Sequence, residues 1–139
     1  MRIEIMNLAP EAEAEKGPMI AFRGTSGQAW ARWCGADIPQ VGALVDVEFD
    51  VPDEVSQWTI ADGPAIMTSD FPGSPVRIKG VVASVADNSV VALQVDTDIV
   101  LVEFAGTMNS VQSHQTAKPR LGDCIEFTTH RLDLYPYSV

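Results

Sequence analysis

The chain has 139 residues and a formal net charge of −10. Hydrophobic residues make up 46% of it and charged residues 20%, a composition typical of folded globular proteins and not of disordered ones. This length predicts a single domain, residues 1–139, with a core that needs no disulfides. The negative charge repels polyanions at long range and therefore disfavours nucleic acid as the main partner.

The cellular compartment is predicted from the cysteines and from the amino terminus. Cys34 and Cys124 are too few for a disulfide framework, and residues 1–17 lack the apolar core of a signal peptide. No run of residues approaches the roughly 18 apolar positions of a membrane helix. We therefore expect a cytoplasmic protein with reduced thiols and no membrane association.

A β-hairpin is predicted over residues 18–36, around the loop Gly24-Thr25-Ser26-Gly27. It follows a short strand over residues 2–8 and an acidic linker that ends at residue 17. With a four-residue loop, Ala21 faces Trp30 and Met19 faces Arg32. Because side chains alternate across a strand, Trp30 and Arg32 share the outward face of the hairpin with Arg23.

A further strand, with one face exposed to solvent, is predicted over residues 43–51. Valine and phenylalanine alternate there with Asp46, Glu48 and Asp50. The following residues, 52–75, are rich in proline and glycine. Two interpretations stay open for them: one helical turn over Asp53–Trp58, or a short strand near Ser56–Ile60.

Residues 76–104 predict an antiparallel meander of three valine-rich strands. Its two tight turns are Asp87-Asn88 and Asp96-Thr97, residue types that tolerate left-handed backbone. Both faces of the meander carry apolar residues, which indicates a sheet covered on both sides or a subunit interface.

The last strand is predicted to run from about Leu121 to Tyr135. Its apolar residues change phase, so we expect a bulge over Thr129–Arg131. No internal repeat is evident along the chain.

The expected fold is all-β, a small antiparallel barrel of five to seven strands with an N-terminal hairpin. Over residues 43–135 its strand pattern is similar to the oligonucleotide/oligosaccharide-binding (OB) fold, a five-stranded barrel that binds with one sheet face and adjacent loops. That fold usually has a helix between its third and fourth strands, and Asp96-Thr97 leaves no room for one. An SH3-like barrel and a sandwich are alternatives.

The motif search predicts no catalytic residue, no metal site and no cofactor. Cysteine and histidine residues are scattered. The carboxylates of Asp46, Glu48 and Asp50 are spaced by about 7 Å per step along a strand, too far apart for one ion. We also expect Cys34 and Cys124 to form no essential disulfide.

The candidate binding residues are one tryptophan and six basic residues that could converge. Alternatively, Trp30 is covered by the 52–75 loop or by the terminus, and the basic side chains cover sheet faces with their stems. The candidate set is Trp30, Arg23, Arg32, Arg77, Lys79, Lys118 and Arg120.

Three functions are compatible with the sequence. The first is a non-catalytic protein-interaction module, such as an acidic inhibitor, immunity-type or accessory protein, with a protein as its partner. The second is binding of single-stranded nucleic acid or oligosaccharide through Trp30 and nearby basic residues. The third is a small enzyme with a loop-built site. A homo-oligomer is compatible with all three.

Overall fold

A computed structural model of the chain describes residues 1–9, 17–86, 89–110 and 118–137. All regular structure in these ranges is β, and none of it is a helix that could cross a membrane. The strands are β1 (Arg2–Leu8), β2 (Met19–Gly24), β3 (Gly27–Trp33), β4 (Leu44–Asp50), β5 (Val55–Ile60), β6 (Ile66–Thr68), β7 (Val76–Val85), β8 (Val90–Val95), β9 (Asp98–Ser110), β10 (Cys124–Thr129) and β11 (Asp133–Pro136).

Five of these strands close into a ring, the first ring. Strand β2 pairs with β1 and with β3, β1 also pairs with β4, and β11 lies between β3 and β4. The pairing of β11 with β3 is parallel and the others are antiparallel. The predicted small all-β barrel is therefore confirmed, with mixed strand directions.

A second set of pairings closes another five strands, the second ring. Strand β8 pairs with β7 and β9, β10 pairs with β7, and β5 lies between β9 and β10. Here too one pairing, between β5 and β9, is parallel. The short β6 pairs with the outer part of β7.

The chain divides into two halves, strands β1–β5 and strands β6–β11. Each ring contains four strands from one half and a fifth strand from the other half. Strand β5 directly follows β4, a strand of the first ring, but β5 completes the second ring. Strand β11 directly follows β10, a strand of the second ring, but β11 completes the first ring. Each ring is therefore closed by a strand exchanged between the two halves.

The two halves repeat one design in detail. The Gly42 N–H donates to the Ile5 carbonyl at 2.7 Å, and the Gly122 N–H donates to the Val82 carbonyl at 2.9 Å. Gly42 has φ 87° and Gly122 φ 89°, values in the left-handed region that glycine adopts without strain. The strand pairing then shifts by a bulge directly after Ile5 and directly after Val82. The two halves thus share a structural repeat, although no repeat is evident in the sequence.

Each ring surrounds an apolar interior with its own aromatic pair. The Phe22 and Phe49 ring centroids are 5.4 Å apart in the first ring. The Phe104 and Phe127 centroids are 6.0 Å apart, edge to face, in the second. Such offset pairs stabilise beyond the area they bury, by about 0.5–1.5 kcal/mol.

The local predictions agree well with the structure. The hairpin register is as expected, with Ala21 opposite Trp30 and Met19 opposite Arg32. The Asp96-Thr97 turn is present, and Asp96 has φ 58°. The Asp87-Asn88 turn lies outside the described residues.

Residues 55–60 form strand β5, so the short strand expected near Ser56–Ile60 is confirmed and its alternative, a helical turn over Asp53–Trp58, is absent. One prediction beyond the hairpins is wrong. The expected long last strand is two strands, β10 and β11, because the chain leaves the second ring after Thr129 and enters the first. Its change of apolar phase marks that crossing and not a bulge.

The departure from the usual OB pattern is also present in the second ring. In chain order its strands are β5, β7, β8, β9 and β10, so Asp96-Thr97 joins the third strand to the fourth. These two residues form a tight turn between Val95 and Asp98, which leaves no room for a helix there.

Cutting the chain between its halves should leave them associated, because each half holds the strand that closes the other ring. A protease site inserted at the exposed Gly63-Pro64 turn tests this, since surface loops tolerate insertions. After cleavage, size-exclusion chromatography in native buffer should give one peak that contains both fragments. Two separate peaks would contradict the strand exchange.

Candidate functional site

A groove lies where the two rings meet, at the end of β4 and the start of β9. Asp50 of β4 pairs there with Leu101 of β9 in parallel. The groove has a volume of about 630 Å³, within the range of ligand sites in proteins. This β4–β9 groove is lined by Val47, Glu48, Phe49, Asp50, Asp98, Ile99, Leu101, Tyr135 and Tyr137.

Strand alternation presents an apolar surface in the groove. Val100 is fully buried, while its neighbours Ile99 and Leu101 are 52% and 56% exposed. Strand β11 and its continuation add Tyr135 and Tyr137, both more than two-fifths exposed. Four large apolar or aromatic side chains therefore line one depression. Single exposed apolar residues are normal on a protein surface, but a cluster of this kind indicates a binding site.

The charge of the groove is negative. Glu48 and Asp50 point away from the barrel interior, because the intervening Phe49 points into it. Asp98 also lines the groove, and its carboxylate is 2.8 Å from the ammonium of Met1. The lining contains no lysine or arginine, so Glu48 and Asp50 leave a net negative potential there.

The pKa of the Asp50 carboxyl is raised above its ordinary value. Burial raises its pKa, and the carboxylate of Asp133, its partner across β4 and β11, raises it further. The guanidinium of Arg131 opposes this change, but Arg131 is bound to Asp133 through two 3.1 Å hydrogen bonds. A cation beside Asp50 would therefore relieve an unfavourable carboxylate.

Cys34 lies next to Tyr135, one of the residues that line the groove. Burial and the carboxylate of Asp133 raise the pKa of the Cys34 thiol, against the smaller opposing effect of a hydrogen bond with Tyr135. A thiol with a raised pKa is a weak nucleophile at neutral pH. Cys34 and Cys124 are both free in the structure.

Trp30 and Arg32, two of the predicted binding residues, line a separate and smaller pocket. This Trp30 pocket has a volume of about 190 Å³. Gly73 and Ser74 also line it, so the 52–75 segment covers part of Trp30, which is half-buried. The full lining is Met19, Trp30, Arg32, Gly73, Ser74, Val76, His130, Arg131 and Leu132.

The other predicted basic residues are mostly engaged elsewhere. Arg23 and Arg77 form ion pairs with acids on neighbouring strands, at 3.0 and 2.8 Å. Lys79 is only 6% exposed, and its ammonium donates to a backbone carbonyl at 2.6 Å. Lys118 donates to a serine hydroxyl at 3.3 Å, and Arg120 is exposed.

The groove residues were visible in the sequence but could not be assembled from it. Ile99 and Leu101 belong to one of the two apolar faces that the sequence predicts for the meander, and Asp50 to the solvent-exposed face of the predicted strand 43–51. These residues come together only because β9 lies next to β4 in the fold, and the sequence does not indicate that neighbour. Among the residues that the structure describes, no three His, Cys, Asp or Glu side chains group closely enough to hold a metal ion.

Comparison with protein-family models, with curated proteins and with solved structures finds no match to this chain. A functional proposal must therefore be argued from the chemistry of the groove.

Asp50→Asn should raise Tm slightly at pH 7, by about 1 °C. The pKa of Asp50 in the folded protein lies above its ordinary value of 3.8, so the free energy of unfolding decreases as the pH rises past 3.8. Asparagine does not ionise, so the variant does not lose this stability. Thermal melts at pH 7 and pH 3 check this, because the gain should vanish when the acid is protonated.

Asp46→Asn is the matched control on the same strand face. Hydrogen bonding to Arg2 lowers the pKa of Asp46, so its ion pair stabilises the fold above that pKa and is lost in acid. This variant should leave Tm unchanged or lower it slightly at pH 7. A drop of equal size in both variants would contradict the assignment for Asp50.

Proposed function

We propose that this chain is a non-catalytic protein-interaction module that binds a cationic, partly apolar segment of another protein in the β4–β9 groove. The observation that carries the proposal is the combination, in one depression, of four exposed apolar or aromatic side chains with two carboxylates and a lining that contains no lysine or arginine. The apolar members are Ile99, Leu101, Tyr135 and Tyr137, and the charged ones are Glu48 and Asp50.

The apolar part of the groove supplies affinity. Tyrosine is enriched at the centres of protein interfaces because it buries a large ring while its hydroxyl keeps a polar partner. Tyr135 and Tyr137 flank the groove on the same side of β4. Their faces can also hold an ammonium or guanidinium group by cation–π attraction.

The charge supplies selectivity. A net charge of −10 attracts basic partners at long range and speeds their association. Within the groove, the raised pKa of Asp50 means that an incoming cation stabilises an otherwise unfavourable carboxylate. Binding should therefore weaken as pH falls and Asp50 takes up a proton.

A blocked peptide, acetyl-Lys-Val-Lys-Val-Lys-amide, is a suitable probe of this groove. In a titration followed by amide NMR shifts, the changes should concentrate at Ile99, Leu101 and the two tyrosines. Glu48→Lys or Asp50→Lys should weaken binding about fivefold, the equivalent of roughly 1 kcal/mol for one partly exposed charge pair.

Glu103→Lys is the control, because Glu103 is an exposed acid of β9 outside the groove lining. It makes the same change in net charge. Equal weakening by all three variants would mean that the peptide senses total charge alone, and would contradict a site in the groove.

A second candidate, binding of single-stranded nucleic acid, is supported by the Trp30 pocket. Arg32, Arg131 and His130 surround the half-buried Trp30 there. Stacking of one base on an aromatic side chain contributes about 1–3 kcal/mol. The pocket is small and Arg131 is already bound to Asp133, so this function ranks second.

Trp30→Ala should weaken binding of a short oligothymidine about tenfold, within the range for one stacked base. Arg32→Glu should flatten the dependence of affinity on salt, because one phosphate contact is lost. Fluorescence anisotropy at low and moderate salt measures both effects. Absence of any binding by the unmodified protein at low salt would exclude this candidate.

A further inference from the structure

One edge of the first ring is covered by the chain's own connector, residues 61–75. The Met67 N–H donates to the Ser26 carbonyl at 3.0 Å, and the Ser69 N–H donates to the Gln28 carbonyl at 3.2 Å. The Ser69 hydroxyl in turn accepts from the Trp30 N–H at 2.8 Å. The connector thus adds to β3 as a short extra strand just beyond the β2–β3 turn.

Ile99 is the counterpart of Gln28 in the second ring. Both residues lie one position beyond the pair that flanks a two-residue turn, and they face Arg23 and Gln94 respectively. Hydrogen-bonded and non-bonded pairs alternate along an antiparallel ladder. Because the pair at the turn is the bonded one, the N–H and C=O of both residues point away from the hairpin.

The outward edge at Ile99 has no covering strand among the described residues. Strand β4 approaches β9 at Leu101 and pairs with it there alone, which leaves the Ile99 backbone facing the groove. The connector between the halves pairs with β7 through β6 and, with its other edge, covers the first ring at Ser26 and Gln28. The edge at Ile99, which the connector does not cover, borders the groove of about 630 Å³. The Trp30 pocket, which lies beside the connector, has a volume of about 190 Å³.

We propose that the segment bound in the β4–β9 groove is an extended peptide that pairs with the backbone of Ile99, as the connector pairs with Gln28. This inference rests on the proposed function and specifies its binding mode, strand addition. The connector runs parallel to β3, because its bonds advance together along both segments, from Met67 with Ser26 to Ser69 with Gln28. In the same parallel arrangement, the two neighbours of the peptide residue opposite Ile99 bond to the Ile99 backbone, and that residue projects its side chain on the same face as Ile99. That side chain reaches Glu48 or Asp50 and is a lysine or an arginine.

A cationic peptide suits this edge better than the connector of a second copy. The connector carries Asp62 and Asp70 and no lysine or arginine, so its charge has the wrong sign for the groove. It also needs a glycine beneath it, because a Cβ at Gly27 would lie 2.6 Å from a methyl of Thr68. The counterpart of Gly27 in the second ring is Asp98, which carries a side chain.

Alternate N-methylation of the peptide probe tests the binding mode without altering the protein. In an added strand, the N–H groups of every second residue face the partner strand, and the others face solvent. One version of acetyl-Lys-Val-Lys-Val-Lys-amide is methylated at the backbone nitrogens of both valines, and the other at the central lysine. The NMR titration with the unmethylated peptide provides the reference affinity.

We expect one of the two methylated peptides to bind at least tenfold more weakly than the reference and the other within about twofold of it. The Ile99 amide resonance should shift strongly with the tolerated peptide and little with the other. Equal affinities for the two would overturn strand addition, while groove binding by the unmethylated probe would still support the proposed function. No binding of the unmethylated probe would overturn both.

Discussion

The exchange of the fifth strands is the constraint on which the rest of the molecule depends. Strand β11 supplies Leu134, which is fully buried in the first ring, and β5 supplies Val55 and Trp58, which are 4% exposed, to the second. Neither half can bury its own apolar interior without the strand from the other half. The two rings should therefore fold together, and the many contacts between residues distant in sequence favour slow folding.

The exchange also determines where the two rings touch. Because β4 leads into β5 and β10 leads into β11, the ends of β4 and β10 lie where the chain crosses between rings. At one crossing, Asp50 meets Leu101 and the groove opens beside them. Near the other crossing, the single connector lies against β3 and the Trp30 pocket is smaller. A repeated fold thus has two unlike surfaces, because one covering segment cannot serve two equivalent edges.

The sequence was sufficient for local structure and insufficient for strand order. Turn residues and alternation predict the β2–β3 hairpin to the residue, since these depend on neighbours in the chain. The partners of β5 and β11 depend on residues far away, so the phase change after Thr129 was misread as a bulge. The repeat was missed because loop lengths differ: Ile5 corresponds to Val82 and Gly42 to Gly122, but the shared residues around them follow no constant period. The groove was missed for the same reason, since its residues come from three strands of both halves.

The acidic residues around the groove also disfavour self-association through the exposed strand edge. An open strand edge next to exposed apolar side chains invites pairing between copies of the same chain. Here Glu48 and Asp50 lie beside the Ile99 edge, and every copy carries a net charge of −10. Two copies that approach edge to edge bring like charges together as they lose water, which disfavours self-association. A cationic strand is attracted to the same edge, because its charges neutralise the carboxylates that repel a second copy. The edge can therefore remain exposed in the free protein and still favour a cationic strand of the proposed kind over a second copy.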